Sequence, residues 1–498
     1  MKPFGFKKNA IHNILGWVLP AGIFIILTRL IINKLGTEAF GIVSFIQVVT
    51  GYLNILNFGF SETIIKQVAE NLHKDPDRIA RILWVGLALF AGIGLLGGLV
   101  LIVLSDWVGT TVLNVSPGLR ADTVMALRIG GIINVLQMIA EFYRGSALGC
   151  NRFDIPNICR TFRILVSGII TVYFLENGGG IVSVLSASLI GLSMGLLLNG
   201  AWMQKVLPVR WVSGSCYEVW LEVFHFSKHM LIVRFAGMLS NRINQLLLGI
   251  LKPIANVAFY QVPVTSAETG VGILNKALEV LYPHFASLDK TDRQVKETIA
   301  SMVKSILTIQ ILATLPIFLV IILEGSRLIA LWINSEFSSN TSHILTIISI
   351  SYFISSLTGI FSYVAMSFNS PSILSKYAIY QLGVALIAGC PLVYLYALEG
   401  AAWTLLFCSS LSLFFVQETC KTLLGFNAFS AFIRIIIGSC AIAIPLYLTY
   451  NFVYRYSTFY TPYASLVAGF FYFLMALYLP LVTRNDRSKL LRLLLKLN

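Results

Sequence analysis

The sequence predicts an all-α, polytopic membrane protein with about 14 transmembrane helices, and three observations support this fold class. Of its 498 residues, 57% are hydrophobic and only 12% are charged, and the mean hydropathy is +0.81. Apolar runs recur along the chain, and Lys and Arg concentrate on alternate connections between them. Soluble domains are typically about 25% charged, and a globule cannot hide so much apolar surface. The composition therefore excludes a cytosolic enzyme, a disordered protein and a nucleic-acid binder, so no nucleic-acid partner is expected.

The transmembrane helices are predicted from the lengths of the apolar runs. A helix needs about 20 mostly apolar residues to cross a hydrocarbon core of about 30 Å. Turn residues such as Asp75-Pro76-Asp77 separate the runs, and none of the connections is long enough for a soluble domain. The 14 predicted spans cover residues 14–33, 38–60, 82–105, 123–146, 158–175, 181–206, 219–249, 255–283, 303–323, 341–366, 374–397, 399–420, 430–451 and 461–483.

The distribution of positive charge predicts the orientation of these spans. If the N-terminus lies inside, 27 of the 36 Lys and Arg residues fall on the inner side, five on the outer side and four within spans. Inner connections of membrane proteins are rich in Lys and Arg, and one missing span would have reversed the later connections. We therefore expect a multi-pass membrane protein with both termini in the cytoplasm.

A weak internal repeat predicts how the spans are grouped. An offset of 219 residues places Ala39-Phe40 over Ala258-Phe259, and the same offset places residues 147–151 over residues 366–370. We therefore expect two six-helix lobes of the same orientation, with a substrate path where they meet. The predicted domains are residues 1–210 (spans 1–6), 211–425 (spans 7–12) and 426–498 (spans 13 and 14 and a basic cytoplasmic tail).

Three arginines interrupt apolar spans and are the main candidates for substrate binding. Arg29 lies in span 1, and Arg234 and Arg242 lie in span 7, where Asn241 and Gln245 extend the same polar side. An arginine at the bilayer centre costs about 2.5–3.5 kcal/mol, so it usually faces a partner or a wet cavity. Snorkelling and internal salt bridges are the alternatives. Guanidinium groups bind phosphate oxygens in a bidentate manner, so a shared cavity lined by these arginines would suit an anion.

Two lysines and two acids complete the candidate residues. Lys66 and Lys276 lie near the predicted inner face, where an anionic head group would first arrive. Glu141 and Glu268 lie deep in apolar spans, where an acid can exchange a proton or hold a cation. Local ion pairs are the alternative for all four, including a bridge from Glu141 to Arg144 and one from Glu268 to Lys276.

Other signals argue against catalysis or a metal. His225 and His229 have the i, i+4 spacing of metal ligands, but no third ligand is evident nearby. Residues 178–180 are a glycine turn without a following phosphate-binding motif. No catalytic constellation lies outside the predicted spans. We therefore expect no enzyme activity, no bound metal and no cofactor.

Three segments resemble the sequence motifs of bacterial oligosaccharide flippases of the multidrug/oligosaccharidyl-lipid/polysaccharide exporter superfamily. They are residues 35–41 (Leu-Gly-Thr-Glu-Ala-Phe-Gly), residues 57–69 (Asn-Phe-Gly-Phe-Ser-Glu-Thr-Ile-Ile-Lys-Gln-Val-Ala) and residues 145–153 (Gly-Ser-Ala-Leu-Gly-Cys-Asn-Arg-Phe). The resemblance extends over about residues 1–425. The sequence departs from many relatives at Asn57-Phe58, where they carry Asp-Leu, and at Lys66, where Arg is usual.

The resemblance implies two lobes in a V that open alternately to each face. The implied cargo is an undecaprenyl-diphosphate-linked oligosaccharide, such as an O-antigen or exopolysaccharide repeat unit. The resemblance implies that this cargo is flipped from the inner to the outer leaflet of the bacterial cytoplasmic (inner) membrane. Lys66 and Lys276 would admit the diphosphate, the three arginines would hold it, and the polyprenyl tail would stay among the membrane lipids. A proton or sodium gradient is a candidate for driving the reset, and a polysaccharide polymerase is a candidate partner.

Three alternatives remain open. A flippase for the lipid-linked peptidoglycan precursor fits the same arginines and the same number of spans. A cation-coupled multidrug extrusion transporter shares the superfamily fold, but cationic drugs require acids where span 1 offers Arg29. A membrane glycosyltransferase or polymerase would need acids or a catalytic loop at the membrane face, and the outer connections are short.

Overall fold

The structure is a computed structural model that describes residues 6–53, 60–71, 75–150, 152, 154–207, 242–278, 293–368 and 370–428. Predicted spans 13 and 14 and most of span 7 lie outside these residues. The described part of the chain is nearly all helical and contains no β-strand; one isolated β-bridge joins Asn114 to Pro253. The all-α prediction is therefore confirmed.

The helices follow the apolar runs of the sequence. In chain order, the α-helices are α1 (Phe6–Leu35), α2 (Thr37–Leu53), α3 (Phe60–Asn71), α4 (Pro76–Trp107), α5 (Arg120–Gly149), α6 (Asp154–Glu176), α7 (Ile181–Val206), α8 (Arg242–Leu251), α9 (Ala255–Leu278), α10 (Arg293–Trp332), α11 (Ser335–Ser356), α12 (Gly359–Ser367), α13 (Pro371–Ile387) and α14 (Gly389–Thr419). Short π-helical turns extend α4 over Val108–Val112 and α14 over Cys420–Leu424, and a 3₁₀ turn at Pro117–Leu119 precedes α5.

Within the described ranges, seven helical segments are long and apolar enough to cross a membrane. They are Pro76–Val112, Pro117–Gly149, Asp154–Glu176, Ile181–Val206, Arg293–Trp332, Ser335–Ser367 and Gly389–Leu424. These segments confirm the polytopic class, because each exceeds the length that a bilayer core requires. The total of 14 spans stays a prediction.

Two predicted spans contain breaks that the sequence did not reveal. Predicted span 341–366 is divided between α11 and α12, with Gln310 of α10 donating a hydrogen bond to the carbonyl oxygen of Ser356 at the break. Predicted span 374–397 is divided between α13 and the first turns of α14. The predicted boundary after residue 397 does correspond to a local change, because Ala397 leaves helical geometry with φ of 48°. A positive φ is uncommon for a residue with a side chain, so this position marks a kink within α14.

The helices pack into two compact units. One lies within Met1–Gln261 and Leu386–Ala401, and the other within Val262–Ala385 and Ala402–Asn498. An apolar core in the first unit joins α3, α4 and α5 to the start of α6 and the end of α7, with Phe90 and Phe142 fully enclosed. A core in the second unit joins α10, α12 and α14 around Phe361. The predicted domain boundaries at residues 210 and 425 stay predictions.

Candidate functional site

Helices α2 and α8 pack against each other in antiparallel directions within the first unit, and we call this contact the α2–α8 seam. Gly41 lies against the carbonyl oxygen of Ile254, just beyond α8, where any Cβ atom would overlap that oxygen. Phe45 lies against Gly249, and the charge of Arg242 acts on Tyr52. Residue numbers rise along α2 as they fall along α8, which is the pattern of an antiparallel pair. The seam therefore aligns Arg242 with the C-terminal end of α2.

Arg242 lies within a predicted span, at the end of the seam opposite to the turn between α8 and α9. Arg242 is the first described residue of α8, which ends at Leu251, so a rise of 1.5 Å per residue puts it about 14 Å from the end of the helix. Half of a hydrocarbon core is about 15 Å. Its side chain is half-buried, as is that of Tyr52. The structure thus holds a guanidinium group about nine residues from the predicted outer end of the seam, where two helices distant in sequence meet.

Hydrogen bonds close the predicted outer end of the seam. Glu38, in the first turn of α2, accepts hydrogen bonds from the backbone N–H (2.6 Å) and the hydroxyl (2.9 Å) of Ser116. Asn114 donates from its amide to the carbonyl oxygen of Ile250 (3.1 Å), and its own carbonyl accepts from the N–H of Ile254 (3.3 Å). The connection between α4 and α5 therefore ties α2 to the turn between α8 and α9.

A buried polar cluster joins α8 to α9. The amide of Asn244 donates to the hydroxyl of Tyr260 (3.2 Å) and to the carbonyl oxygen of Ala401 (3.1 Å), while Gln245 donates to Gln261 (2.6 Å). Asn244 and Gln245 are almost completely buried. Gln245 was predicted from the sequence, whereas Asn244, Tyr260 and Gln261 were not, although polar residues inside apolar spans were the available signal. In this conformation, Gln245 is enclosed by protein, and its substrate-binding role stays a prediction.

Arg29 lies on the exposed side of α1. It shares this side with Ile25 and Ile26, while Ile23 and Leu27 face α6 at Gly168. Arg29 makes no hydrogen bond or ion pair with another residue of the described ranges. It lies six residues before the end of α1, which corresponds to about 9 Å along the helix. That it shares a cavity with Arg242 stays a prediction.

The two candidate acids lie on different helices. Glu141 of α5 accepts a hydrogen bond from Arg144 at 2.6 Å, and Arg144 also donates to the hydroxyl of Ser61 at 3.1 Å. The Glu141–Arg144 ion pair was the alternative to ion coupling that the sequence predicted for Glu141. Glu268 is half-buried in α9. Roles for both acids in coupling stay predictions.

The remaining candidates are described only in part or lie outside the described residues. Lys66 lies in α3 and Lys276 in α9, but the structure describes neither side chain. Arg234 and Asn241 lie outside the described residues, as does the His225 and His229 pair.

Comparisons with known proteins agree with this architecture. The model of a family described as "Polysaccharide biosynthesis protein" matches residues 6–289. A Shigella flexneri protein named "Putative O-antigen transporter" is 21% identical over 356 residues, which cover 70% of this chain and 82% of that protein. A Bacillus subtilis protein named "Uncharacterized membrane protein EpsK" is 23% identical over 206 residues, covering 41% of this chain and 40% of that protein.

Solved structures of two kinds of transporter share the fold. The lipid II flippase MurJ in an inward closed conformation gives a TM-score of 0.68 at 14% identity, covering 94% of this chain and 97% of its own. An inward-facing multidrug resistance MATE family transporter of the MOP superfamily gives a TM-score of 0.63 at 12% identity, covering 85% of this chain and 95% of its own.

The long apolar helices and these structural matches define an integral membrane protein with the fold of the MOP superfamily transporters. The chain belongs to the polysaccharide biosynthesis protein family, whose model matches more than half of it. The family resemblance expected from residues 35–41, 57–69 and 145–153 is therefore confirmed.

Proposed function

We propose that this protein flips undecaprenyl-diphosphate-linked oligosaccharide repeat units from the inner to the outer leaflet of the bacterial cytoplasmic membrane by alternating access. The cargo would serve the synthesis of a surface polysaccharide such as O-antigen or exopolysaccharide. Membership of the polysaccharide biosynthesis protein family supports the class of cargo. The observation that carries the transport proposal is the position of Arg242, half-buried on the α2–α8 seam. If the end of α8 lies at the outer membrane surface, Arg242 would lie about 14 Å from it, near mid-depth.

The chemistry of a guanidinium group explains why this position suits a diphosphate. An arginine at mid-depth costs about 2.5–3.5 kcal/mol, so it is usually retained for a function. Its planar N–H groups can donate two parallel hydrogen bonds to a phosphate, and their strength increases where water is excluded. Arg242 would thus hold the diphosphate during passage, together with Arg29 and Arg234, while the apolar tail stays in lipid.

The closed outer end of the seam supplies the conformational part of the proposal. Release to the outer leaflet would require the Glu38–Ser116 and Asn114–Ile250 hydrogen bonds to break. These bonds are few and lie near the surface, so each would contribute about 0.5–1.5 kcal/mol. Because these hydrogen bonds contribute little free energy, the free energy of substrate binding is large enough to open this end of the seam.

The other candidate residues have proposed roles in the same cycle. Lys66 and Lys276 would attract the diphosphate at the inner face, and Asn241 and Gln245 would contribute polar contacts beside Arg242. Glu141 and Glu268 would couple the reset to a proton or sodium gradient. We propose that the protein itself is not an enzyme, and that a polysaccharide polymerase uses the delivered units.

Replacing the arginines of α8 and its preceding segment tests the proposal. We expect the Arg234→Ala, Arg242→Ala double variant to abolish surface polysaccharide in cells that depend on this protein, at normal protein levels. The matched control is Arg293→Ala, because Arg293 is highly exposed and paired with Glu297 on α10. Full complementation by the double variant would contradict the assignment.

A second candidate is a flippase for the lipid-linked peptidoglycan precursor, favoured by the extent of the MurJ match. This cargo also contains a diphosphate, so arginine variants do not separate the two proposals. Purified protein in vesicles should be offered each labelled lipid separately. Faster transfer of the oligosaccharide-linked lipid supports our proposal, and faster transfer of the peptidoglycan precursor supports the alternative. Export of organic cations would instead favour the multidrug class.

A further inference from the structure

A basic cluster lies on α5 and α6 at the predicted inner side of the first unit. It consists of Arg144 on α5 and Arg160 and Arg163 on α6, with Glu141 as the acid among them, and we call it the α5–α6 cluster. Arg160 is exposed, whereas Arg144, Arg163 and Glu141 are half-buried. The proposed transport step does not use these arginines, so their arrangement needs a separate explanation.

Glu141 interacts with two of the three arginines of the α5–α6 cluster. Glu141 accepts a hydrogen bond from Arg144 at 2.6 Å, and Arg144 donates a second hydrogen bond to the hydroxyl of Ser61 at 3.1 Å. Arg163 lies within electrostatic reach of Glu141 and also of the like charge on Arg160. Among the side chains that the structure describes, Glu141 is the acid that interacts with Arg144 and Arg163, and Arg160 adds a third positive charge beside Arg163. These four described side chains therefore carry an excess of two positive charges.

Two glycines of α7 explain why Arg163 is held in this position. Gly191 and Gly195 are four residues apart, so they lie on one face of α7 and face α6. A Cβ atom on Gly191 would lie 2.7 Å from the carbonyl oxygen of Arg163, and one on Gly195 would lie 3.0 Å from the Cβ of Arg163. The missing side chains let α6 approach closely, so the stem of Arg163 lies across α7 and its position is constrained by packing.

The excess charge predicts an anionic ligand. Like charges three residues apart on a helix repel each other, and a half-buried guanidinium group requires a counter-charge. Guanidinium groups match phosphate oxygens in geometry. Basic sites between transmembrane helices on the cytoplasmic side of a membrane bind the phosphate groups of lipids. All three arginines lie on the side that the charge distribution assigns to the cytoplasm.

We propose that Arg160 and Arg163 form a phosphate-binding site on α6, separate from the α2–α8 seam. The phosphate belongs either to the head group of an anionic membrane phospholipid or to a polyprenyl diphosphate on its way to the seam. Only the second source rests on the proposed function. A phosphate at this position neutralises the two charges that Glu141 leaves uncompensated.

Titrations of the purified full-length protein test the site. The probes are phosphatidylglycerol and undecaprenyl diphosphate, each added to protein in micelles of a nonionic detergent without phosphate, and inorganic phosphate added to a buffer that otherwise contains none. In the Arg160→Gln, Arg163→Gln variant, we expect binding of the correct probe to weaken by about tenfold or more, because charge-assisted hydrogen bonds are lost. The matched control is Arg128→Gln, Arg293→Gln, which removes two arginines that have carboxylate partners.

The outcomes distinguish the sources of the phosphate. Selective loss of phosphatidylglycerol binding assigns a phospholipid head group, and selective loss of undecaprenyl diphosphate binding assigns the cargo. The site is refuted if the variant binds all three probes as the wild type does, or if the control weakens binding equally. The single variant Arg160→Gln controls for misfolding of the double variant. Because Arg160 is exposed, its substitution should weaken binding without changing the melting temperature. Binding is measured without transport, so this test can fail while the transport proposal stands.

Discussion

Substituting Gly41 by alanine should prevent the α2–α8 seam from closing fully. A Cβ atom at this position would overlap the carbonyl oxygen of Ile254, which belongs to the backbone and cannot rotate away. The matched control is Gly92→Ala in α4, where a Cβ atom would meet nothing within 4 Å. Both substitutions exchange glycine for alanine within a helix, so they share the gain in helix propensity of about 0.5–1 kcal/mol. The difference between them therefore isolates the cost of the overlap.

The size of the effect follows from the packing of the seam. Forcing a methyl group into a filled contact costs about 1–3 kcal/mol. If the open seam relieves the overlap, the equilibrium shifts away from the closed state by about 5–150-fold. The Gly92→Ala variant should leave the equilibrium close to that of the wild type. Transport should fall in the Gly41→Ala variant, because the cycle requires the closed state.

A disulfide across the closed end measures this equilibrium. Asn114 and Pro253 form the isolated bridge between the two connections, so cysteines at these positions are close enough to be paired in the closed state. In a background without the native cysteines, Gly41→Ala should lower the rate of disulfide formation, and Gly92→Ala should not. Equal rates in the two variants would refute the seam as described here.

Two further predictions follow from single side chains. Glu38→Gln should also slow formation of the disulfide, by about two- to tenfold. The reason is that Ser116 loses charge-assisted hydrogen bonds worth about 0.5–1.5 kcal/mol at this exposed site. Glu336→Gln on α11 is the control, and equal effects of the two substitutions would contradict the prediction. Burial raises the pKa of Cys150 to about 11, partly opposed by the nearby positive charge of Arg152. Its reactive thiolate is therefore scarce at pH 8, so iodoacetamide should modify Cys150 slowly at this pH. The rate should rise about tenfold per pH unit up to about pH 11, and a rate that levels off near pH 8 would contradict this.

The fold class could be predicted from the sequence because it depends on composition and on the lengths of apolar runs. Predicted span 181–206 coincides with α7 because a glycine turn at residues 178–180 and Pro208 flank an uninterrupted apolar run. The break between α11 and α12 escaped prediction because hydropathy does not detect it. The hydroxyl groups of Ser356 and Thr358 donate hydrogen bonds to the carbonyl oxygens of Phe353 and Ser355, and these short side chains lower the mean hydropathy of the run only slightly.

The candidate site could be predicted only where a residue contrasts with its local surroundings. Arg242 was visible because it interrupts an apolar run, and the Glu141–Arg144 pair was visible because the residues are three apart. The contact between Glu38 and Ser116 joins residues 78 positions apart, and no local pattern connects them. Arg163 was counted as an ordinary inner-side charge, because its relation to Glu141 and Gly195 exists only after α5, α6 and α7 have packed.

A structure of the full-length protein with a bound undecaprenyl-diphosphate-linked oligosaccharide tests the central claim most directly. Our account predicts that phosphate oxygens lie about 2.7–2.9 Å from the guanidinium nitrogens of Arg242, as in other charge-assisted pairs. A diphosphate that binds away from the α2–α8 seam, with Arg242 paired only to protein groups, would contradict it.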